Sequence, residues 1–180
     1  MDVEKVKKEL EWISSIINCK GCDCCDAGLI YVFPEEVGYL KLKEIKVIQL
    51  DQAFFIPQEQ ERCIYNKNSE CLIYEDRPIC CRLFPFDLFL DSPPDSFLKK
   101  ETNLLHWVYY KKCSSLEESL KDSGMRRAII DSLKSFERVL EEKDIVYWRR
   151  MILEGRRLEY GKFVPKKYEK LLDYKIIRIN

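Results

Sequence analysis

The cysteines of this chain are grouped at spacings that suit metal binding. Three of the nine lie in a run that begins at Cys71 and ends at Phe86: Cys-Leu-Ile-Tyr-Glu-Asp-Arg-Pro-Ile-Cys-Cys-Arg-Leu-Phe-Pro-Phe. Thiolate sulfurs bind a zinc ion at about 2.3 Å, so several of them must be brought to one point. Pro78 and Pro85 stiffen this stretch, because proline fixes its own φ and restricts the residue before it. The run is therefore typical of half of a metal site.

Four further cysteines lie close together near the amino terminus, in the run Cys-Lys-Gly-Cys-Asp-Cys-Cys. They are Cys19, Cys22, Cys24 and Cys25. A Cys-x-x-Cys turn presents two sulfurs to one ion, and Gly21 tolerates the positive φ that such turns often need. We expect this run to supply the other half of the site, with Cys63 and Cys113 available to complete the coordination.

Two arginines, Arg77 and Arg82, flank the adjacent pair Cys80 and Cys81. The sequence leaves two interpretations of them open: ion pairs with neighbouring carboxylates, or hydrogen bonds that support a negatively charged thiolate site from outside its ligands. The neighbouring carboxylates are Glu75, Asp76 and Asp87. Tyr74 is grouped with the arginines as a residue expected to pack around the site.

Length and composition indicate a globular protein that keeps its thiols reduced. A chain of 180 residues can bury a substantial apolar core, so a metal is not needed as its sole source of stability. The amino-terminal stretch is charged, unlike a signal peptide, and no apolar run is long enough to span a bilayer. We therefore expect a cytoplasmic protein with no membrane contact, in which clustered cysteines bind metal instead of forming disulfides.

No enzyme motif can be written from these residues, and whether the chain is an enzyme stays open. The six glycines form neither a dinucleotide-binding fingerprint nor a phosphate-binding loop, and there is one histidine and no Gly-x-Ser-x-Gly. Two arginine pairs, seven residues apart, could bind phosphates: Arg149 and Arg150, then Arg156 and Arg157. A solvated helix that pairs them with its own glutamates is the favoured interpretation, so nucleic acid is not an expected partner.

Periodicity outlines the elements that must position the cysteines. Apolar residues at spacings of three and four predict an amphipathic helix from Asp2 to Ile17, which leads to Cys19. Residues 63–86 are predicted to contain little regular structure of their own. The other predicted elements before Cys113 are a strand over Leu29 to Phe33, a helix from Pro34 to about Lys43, extended structure over Lys46 to Ile56, and strands at Leu88 to Leu90 and Asn103 to Tyr110.

Helices are predicted after Cys113. Ser115 and Glu118 resemble a capping box, and apolar residues from Ile129 to Leu140 mark a long amphipathic helix. Two more helices are expected, from about Asp144 to Tyr160 and from Pro165 to near Asp173. Since no linker is visible, we expect a single α+β domain over residues 1–180. It would combine a loop-rich cysteine-cluster core with short strands (about 15–113), an N-terminal amphipathic helix and C-terminal helices (114–180).

Several motifs occur in a characteristic order along the chain. They are the cysteine run of residues 19–25, Pro34-Glu35-Glu36-Val37, Cys63, the string Cys71-x-x-Tyr74-x-x-Arg77-Pro78-x-x-Cys81-Arg82-x-Phe84-Pro85-Phe86, and Cys113. With them, residues 15–113 resemble the YkgJ-type cysteine-cluster family. That family is described as zinc- or iron-chelating, is often labelled an iron-sulfur protein, and includes a domain of flagellin lysine N-methylases.

The resemblance implies a ligand set. The family's eight cysteines map onto Cys19, Cys22, Cys24, Cys25, Cys63, Cys71, Cys81 and Cys113, which leaves Cys80 as the extra one. The family's first motif is Cys-x-x-Cys-x-x-Cys-Cys, whereas here only Asp23 separates Cys22 from Cys24. Whether Cys24 or Cys25 takes the family's ligand position is therefore open.

The implied cofactor is an iron-sulfur cluster, of the 4Fe-4S type, or zinc. One cubane cluster needs four thiolates, whereas eight thiolates could hold two tetrahedral zinc ions. The expected function is metal binding, with a role in redox chemistry or metal handling. The alternatives are a zinc-stabilised module that binds a protein partner and an accessory domain related to methyltransferases.

Overall fold

The computed structural model describes residues 2–16, 30–50, 52–59, 62–90, 105–110, 113–148 and 174–177. These residues form helices and small antiparallel sheets, so the predicted α+β class is confirmed. The helices are α1 (Val3–Ile16), α2 (Pro34–Leu42), α3 (Ile79–Leu83), α4 (Ser114–Ser119) and α5 (Ser123–Val139), and residues 142–148 are also helical. The strands are β1 (Ile30–Val32), β2 (Ile48–Leu50), β3 (Ala53–Ile56), β4 (Gln58–Glu59), β5 (Arg62–Cys63), β6 (Asn66–Lys67), β7 (Glu70–Cys71), β8 (Phe86–Leu90), β9 (Leu105–Tyr110) and β10 (Tyr174–Ile177).

The amino-terminal helix forms where its apolar periodicity predicts it. Val6, Leu10 and Ile13 are fully buried along one face of α1, which packs against α3 and α5. The carboxylate of Asp2 accepts a hydrogen bond from the Lys5 amide at 3.1 Å, which pairs a backbone donor that the first turn of a helix leaves without an internal partner. The predicted end of this helix, at Ile17, lies outside the described residues.

A three-stranded antiparallel sheet in the order β1-β3-β2 stands beside the cysteine segment. The extended stretch predicted over residues 46–56 is two strands, because the chain reverses between Leu50 and Ala53. The reversal lets β3 lie at the centre, where Ala53 and Phe55 are fully buried. Burial of these residues favours the hairpin. The β-propensity of the stretch predicts extended structure but does not predict the reversal.

The second three-stranded sheet has the order β10-β9-β8 and contains a strand that was not predicted. The strands expected near residues 88–90 and 103–110 are present as β8 and β9. β10 pairs with β9 from Tyr174↔Tyr110 to Ile177↔Trp107. A strand this short shows little periodicity of its own and forms because it pairs with β9. The sequence pattern therefore did not predict β10.

The segment expected to contain little regular structure, residues 63–86, includes one short ladder, an edge of a second and a helix. β4 pairs with β5 and β6 with β7, each over two residues, and α3 follows directly. Asn68 and Ser69 join β6 to β7 with φ values of 52° and 62°, the conformation of a tight two-residue hairpin turn. These elements are very short, as the predicted loop-rich core with short strands requires, but the helix α3 was not predicted.

Helices α4 and α5 follow Cys113 as predicted, but the capping box was wrong. α4 begins at Ser114 after Cys113, so Ser115 lies inside the helix and is not its N-cap. The next helix has the side-chain cap instead, since Asp122 accepts a hydrogen bond from the Met125 amide at 2.6 Å. Of the helix predicted from Asp144, residues 142–148 are described and helical; its remainder and the helix expected from Pro165 lie outside the described residues.

Two apolar clusters form the core. The large cluster contains α1, α5 and the aromatic group Trp107, Phe136 and Trp148, whose ring centroids are 5.9–6.5 Å apart in edge-to-face contacts. The small cluster lies between the first sheet and the cysteine segment, and its buried members are Ile30, Val32, Leu40, Ile45, Ile56 and Cys63. No helix among the described residues is both long and apolar enough to cross a lipid bilayer.

Tyr147 connects the last described helix to the first sheet, and we predict that its hydroxyl group contributes to stability. The hydroxyl donates to the Val32 carbonyl at 3.0 Å and accepts from the Phe54 amide at 3.2 Å. Tyr147→Phe should lower the free energy of unfolding by about 1–3 kcal/mol, because it leaves half-buried backbone groups unpaired. Urea unfolding of the metal-free proteins measures this change.

Tyr65→Phe is the matched control for this prediction. The Tyr65 hydroxyl accepts a hydrogen bond from the exposed Lys46 amide at 2.6 Å, and water can replace it there. The control should therefore change the free energy of unfolding by less than about 0.5 kcal/mol. Equal losses in the two variants would contradict the role assigned to Tyr147.

Candidate metal centre

Three of the predicted ligands, Cys63, Cys71 and Cys81, lie on the two short ladders and on α3. Cys63 ends β5, Cys71 ends β7, and Cys81 is in the middle of α3. Their charges interact: burial is the main cause of the raised pKa values of Cys63 and Cys71, and the neighbouring Cys81 raises both further. The two ladders and α3 thus carry three thiols whose charges act on one another, although up to eighteen residues separate them in the sequence.

Backbone amides oppose the effect of burial at two of these cysteines. Hydrogen bonding from Tyr65 and Asn66 lowers the pKa of Cys63, and hydrogen bonding from Ile73 lowers the pKa of Cys71. In each case the strand ends at the cysteine and the chain turns around its sulfur. Amide donors stabilise a thiolate and oppose the effect of burial on the pKa, so these turns suit sulfurs that give up their protons to a metal.

The adjacent cysteines of α3 have different surroundings. The Cys80 thiol donates to the Tyr31 carbonyl of β1 at 2.7 Å. Cys81 has a pKa well above its ordinary value, raised first by a hydrogen bond with Cys80 and then by burial, while the charge of Arg77 lowers it. A thiol that donates to a carbonyl is protonated, whereas a metal ligand must be a thiolate. The placement of Cys80 outside the ligand set stays a prediction, and its contact with β1 provides a way to test it.

The structure places the remaining predicted ligands as follows. Cys113 is buried, precedes α4 and belongs to the large apolar cluster, whereas Cys63 belongs to the small one. Cys19, Cys22, Cys24 and Cys25 lie outside the described residues. Among the residues that are described, no three Cys, His, Asp or Glu side chains are close enough to hold an ion. The five described cysteines are free of disulfide bonds.

Glu36 positions α3, and this role was not predicted. Its side chain is fully buried; one oxygen accepts from the Phe33 amide at 3.1 Å and the other from the Ile79 amide at 2.8 Å. One carboxylate thus caps the start of α2 and the start of the helix that carries Cys81. Burial raises the pKa of Glu36 to about 7. A glutamate just after Phe33-Pro34 predicts the hydrogen bond with the Phe33 amide. The sequence does not indicate the hydrogen bond with the Ile79 amide, because Ile79 is 43 residues away.

The two arginines contact groups other than the carboxylates that the sequence offers. Within the described part of the chain, the Arg77 guanidinium stacks 3.7 Å from the centroid of the Tyr74 ring, and its Nε has no hydrogen-bond partner. Arg82 donates through Nε to the Arg77 carbonyl at 3.1 Å and through Nη2 to the Glu75 carbonyl. Arg82 therefore ties the turn after Cys71 to α3, whereas the buried Arg77 stacks on the half-buried Tyr74 ring.

Asp76 contacts Tyr39 and Lys43. Its carboxylate accepts from the Tyr39 hydroxyl and lies 3.3 Å from the Lys43 ammonium group. The hydrogen bond with Tyr39 is the main cause of the lowered pKa of Asp76, and it raises the pKa of Tyr39 to about 12. This contact anchors the turn of residues 72–76 to α2.

Comparison with known families supports the metal-binding interpretation. Residues 18–107 match the family model "CxxCxxCC: Putative zinc- or iron-chelating domain". No curated protein and no solved structure matches the chain. The match spans the amino-terminal cysteine run, both ladders and α3, which are the elements that carry seven of the eight predicted ligands. The chain belongs to the CxxCxxCC family that this model describes.

Proposed function

We propose that the chain binds one iron-sulfur cluster or zinc ion through Cys63, Cys71 and Cys81 together with sulfur from the run of residues 19–25. The observation that carries this proposal is the family match over residues 18–107, which includes these three cysteines and the run of residues 19–25. The charges of Cys63, Cys71 and Cys81 also act on one another. One further thiolate makes four, the number that a cubane cluster or a tetrahedral zinc ion requires. Cys113 is the eighth of the cysteines predicted as ligands.

A 4Fe-4S cluster is the first candidate for the group bound. The donors are thiols, and the sequence contains a single histidine, which suits a cluster held by sulfur alone. Such a cluster supplies one-electron chemistry when bound, so a role in redox reactions or metal handling follows from it. The free thiols of the described cysteines agree with a reducing, cytoplasmic location.

Zinc is the second candidate, and the size of the ladders favours it. β4-β5 and β6-β7 pair over two residues each, which is too little for independent stability. A closed zinc site would stabilise them and present their surface to a protein partner.

We further infer that residues 113–148 form one unit with the metal-binding part, since Tyr147 contacts Val32 and Trp148 contacts Phe33.

Anaerobic purification followed by a visible absorption spectrum and elemental analysis of the same sample tests the proposal. We expect a brown protein that contains iron and acid-labile sulfide; a colourless protein that contains zinc would select the second candidate. Cys63→Ala should lose the metal in either case, because it removes one of the proposed ligands. A wild-type protein that retains neither metal, even after anaerobic reconstitution, would contradict metal binding.

A further inference from the structure

We propose that a cavity between β1, α3, β8 and the helix of residues 142–148 binds a small alkylammonium ion. The cavity has a volume of about 80 Å³, several times the roughly 10–15 Å³ that one water molecule needs. The predicted metal ligands that the structure describes do not line it, so this inference does not rest on the proposed function. Five of the side chains that line it are aromatic: Tyr31, Phe33, Phe84, Phe86 and Trp148.

The aromatic side chains give the cavity a buried floor and a half-buried rim. Phe33 and Trp148 are 1% and 4% exposed. Their ring centroids lie 5.4 Å apart at an interplanar angle of 77°, so the two rings form separate walls and do not stack face to face. Phe86 is also buried, whereas Tyr31 and Phe84 are half-buried and border on solvent. A small ligand can therefore reach the buried rings from the side of Tyr31 and Phe84.

Asp87 gives this aromatic cavity a negative charge. Its carboxylate accepts a hydrogen bond from the indole nitrogen of Trp148 at 3.3 Å, and both side chains line the cavity. A carboxylate has acceptor positions for several hydrogen bonds, so the indole does not exhaust its capacity. No lysine or arginine is found among the described side chains that line the cavity. The charge of Asp87 thus makes the cavity complementary to a cation.

Rings and a carboxylate together fit an alkylated ammonium ion better than other classes of ligand. Aromatic faces attract a cation and also pack against its methyl groups. An anion would be repelled by Asp87, and an uncharged apolar ligand would remove water from the carboxylate without pairing it. Calcium and magnesium ions need several oxygen ligands, which one carboxylate does not supply. An alkylammonium ion places its methyl groups on the rings and its charge beside Asp87.

Titration of the full-length protein with tetramethylammonium chloride tests this inference. The uncharged control ligand of similar size is tert-butanol, and sodium chloride controls for ionic strength. The indole N–H resonance of Trp148, identified by its loss in Trp148→Phe, reports on the cavity, and the indole of Trp107 is the internal reference. Tetramethylammonium should shift the Trp148 resonance saturably at submillimolar concentration, and tert-butanol should bind at least about 10-fold more weakly.

Two substitutions in the cavity separate the contributions of charge and ring. Asp87→Asn keeps an acceptor for the indole but removes the charge, and it should weaken tetramethylammonium binding by about 10-fold or more. Phe84→Leu removes one half-buried ring and should weaken binding by about 2- to 5-fold.

Glu137→Gln is the matched control for Asp87→Asn. The Glu137 carboxylate also contacts an indole, that of Trp107 at 3.4 Å, but it does not line the cavity. Its substitution should leave the affinity unchanged. Equal affinity for tert-butanol, no saturable shift of the Trp148 resonance, or wild-type affinity in Asp87→Asn would overturn the inference. If Asp87→Asn does not fold, wild-type affinity in Phe84→Leu would overturn it instead.

Discussion

Cys81→Ala is expected to abolish metal binding, whereas Cys80→Ala is expected to preserve it. The two residues are adjacent on α3, yet Cys80 donates to the Tyr31 carbonyl and Cys81 interacts with the charges of Cys63 and Cys71. Removing one of four thiolates should weaken binding by more than the roughly 10- to 100-fold that the loss of an outer supporting group costs. Metal-to-protein ratios of anaerobically purified protein measure the difference directly.

Comparison of Cys80→Ala with Cys81→Ala also distinguishes the loss of a metal ligand from general damage to the fold. Both substitutions remove one sulfur from the same short helix, and both cysteines are half-buried, so any general damage to α3 should be similar. Circular dichroism of the metal-free variants checks this equality. Loss of metal from both variants to the same extent, or retention of metal by Cys81→Ala, would show that the ligand assignment on α3 is wrong.

Elements stabilised by their own sequence could be predicted, and elements stabilised by distant partners could not. α1 and α5 bury residues at regular helical spacing, among them Leu10, Ile13 and Leu133, and both were predicted. α3 has five residues and starts with an amide that Glu36 caps from another helix. β10 depends on pairing with β9 in the same way. The local sequence of α3 does not identify Glu36 as its cap, and the local sequence of β10 does not identify β9 as its partner.

The same distinction applies to the candidate site. Clustered cysteines at ligand spacing indicate a metal site, since thiolates must converge, and the order of the motifs indicates the family. Which of Cys80 and Cys81 turns towards the other thiols depends on where β1 lies relative to α3, and spacing does not contain that information. Likewise, Arg77 and Arg82 are alike in sequence, but only their contacts show that one holds a turn and the other is buried beside Tyr74.

Glu36→Ala is expected to be strongly destabilising, because a single carboxylate caps two helices. The substitution leaves the amides of Phe33 and Ile79 without their acceptor in the interior. At about 1–3 kcal/mol for each unpaired buried group, the free energy of unfolding should fall by about 2–6 kcal/mol. Glu35→Ala is the matched control: its carboxylate lies 3.9 Å from the Lys143 ammonium group near the surface, and its loss should cost less than about 1 kcal/mol.

Glu36 should also make the stability of the metal-free protein depend on pH. Burial raises the pKa of its carboxyl group from 4.5 to about 7, so between these values the folded protein binds more protons than the unfolded chain. Stability then falls as pH rises through this window, by about 1.4 kcal/mol for each unit of pKa difference. Glu36→Gln does not ionise and should lack this decrease. Urea unfolding at pH 5 and pH 8 measures it, without metal, because coordination by thiolates strengthens as pH rises and would oppose the effect. If wild type and Glu36→Gln instead lose the same stability between pH 5 and pH 8, Glu36 does not titrate in this range. That result would show that its side chain caps both helices in a single charge state.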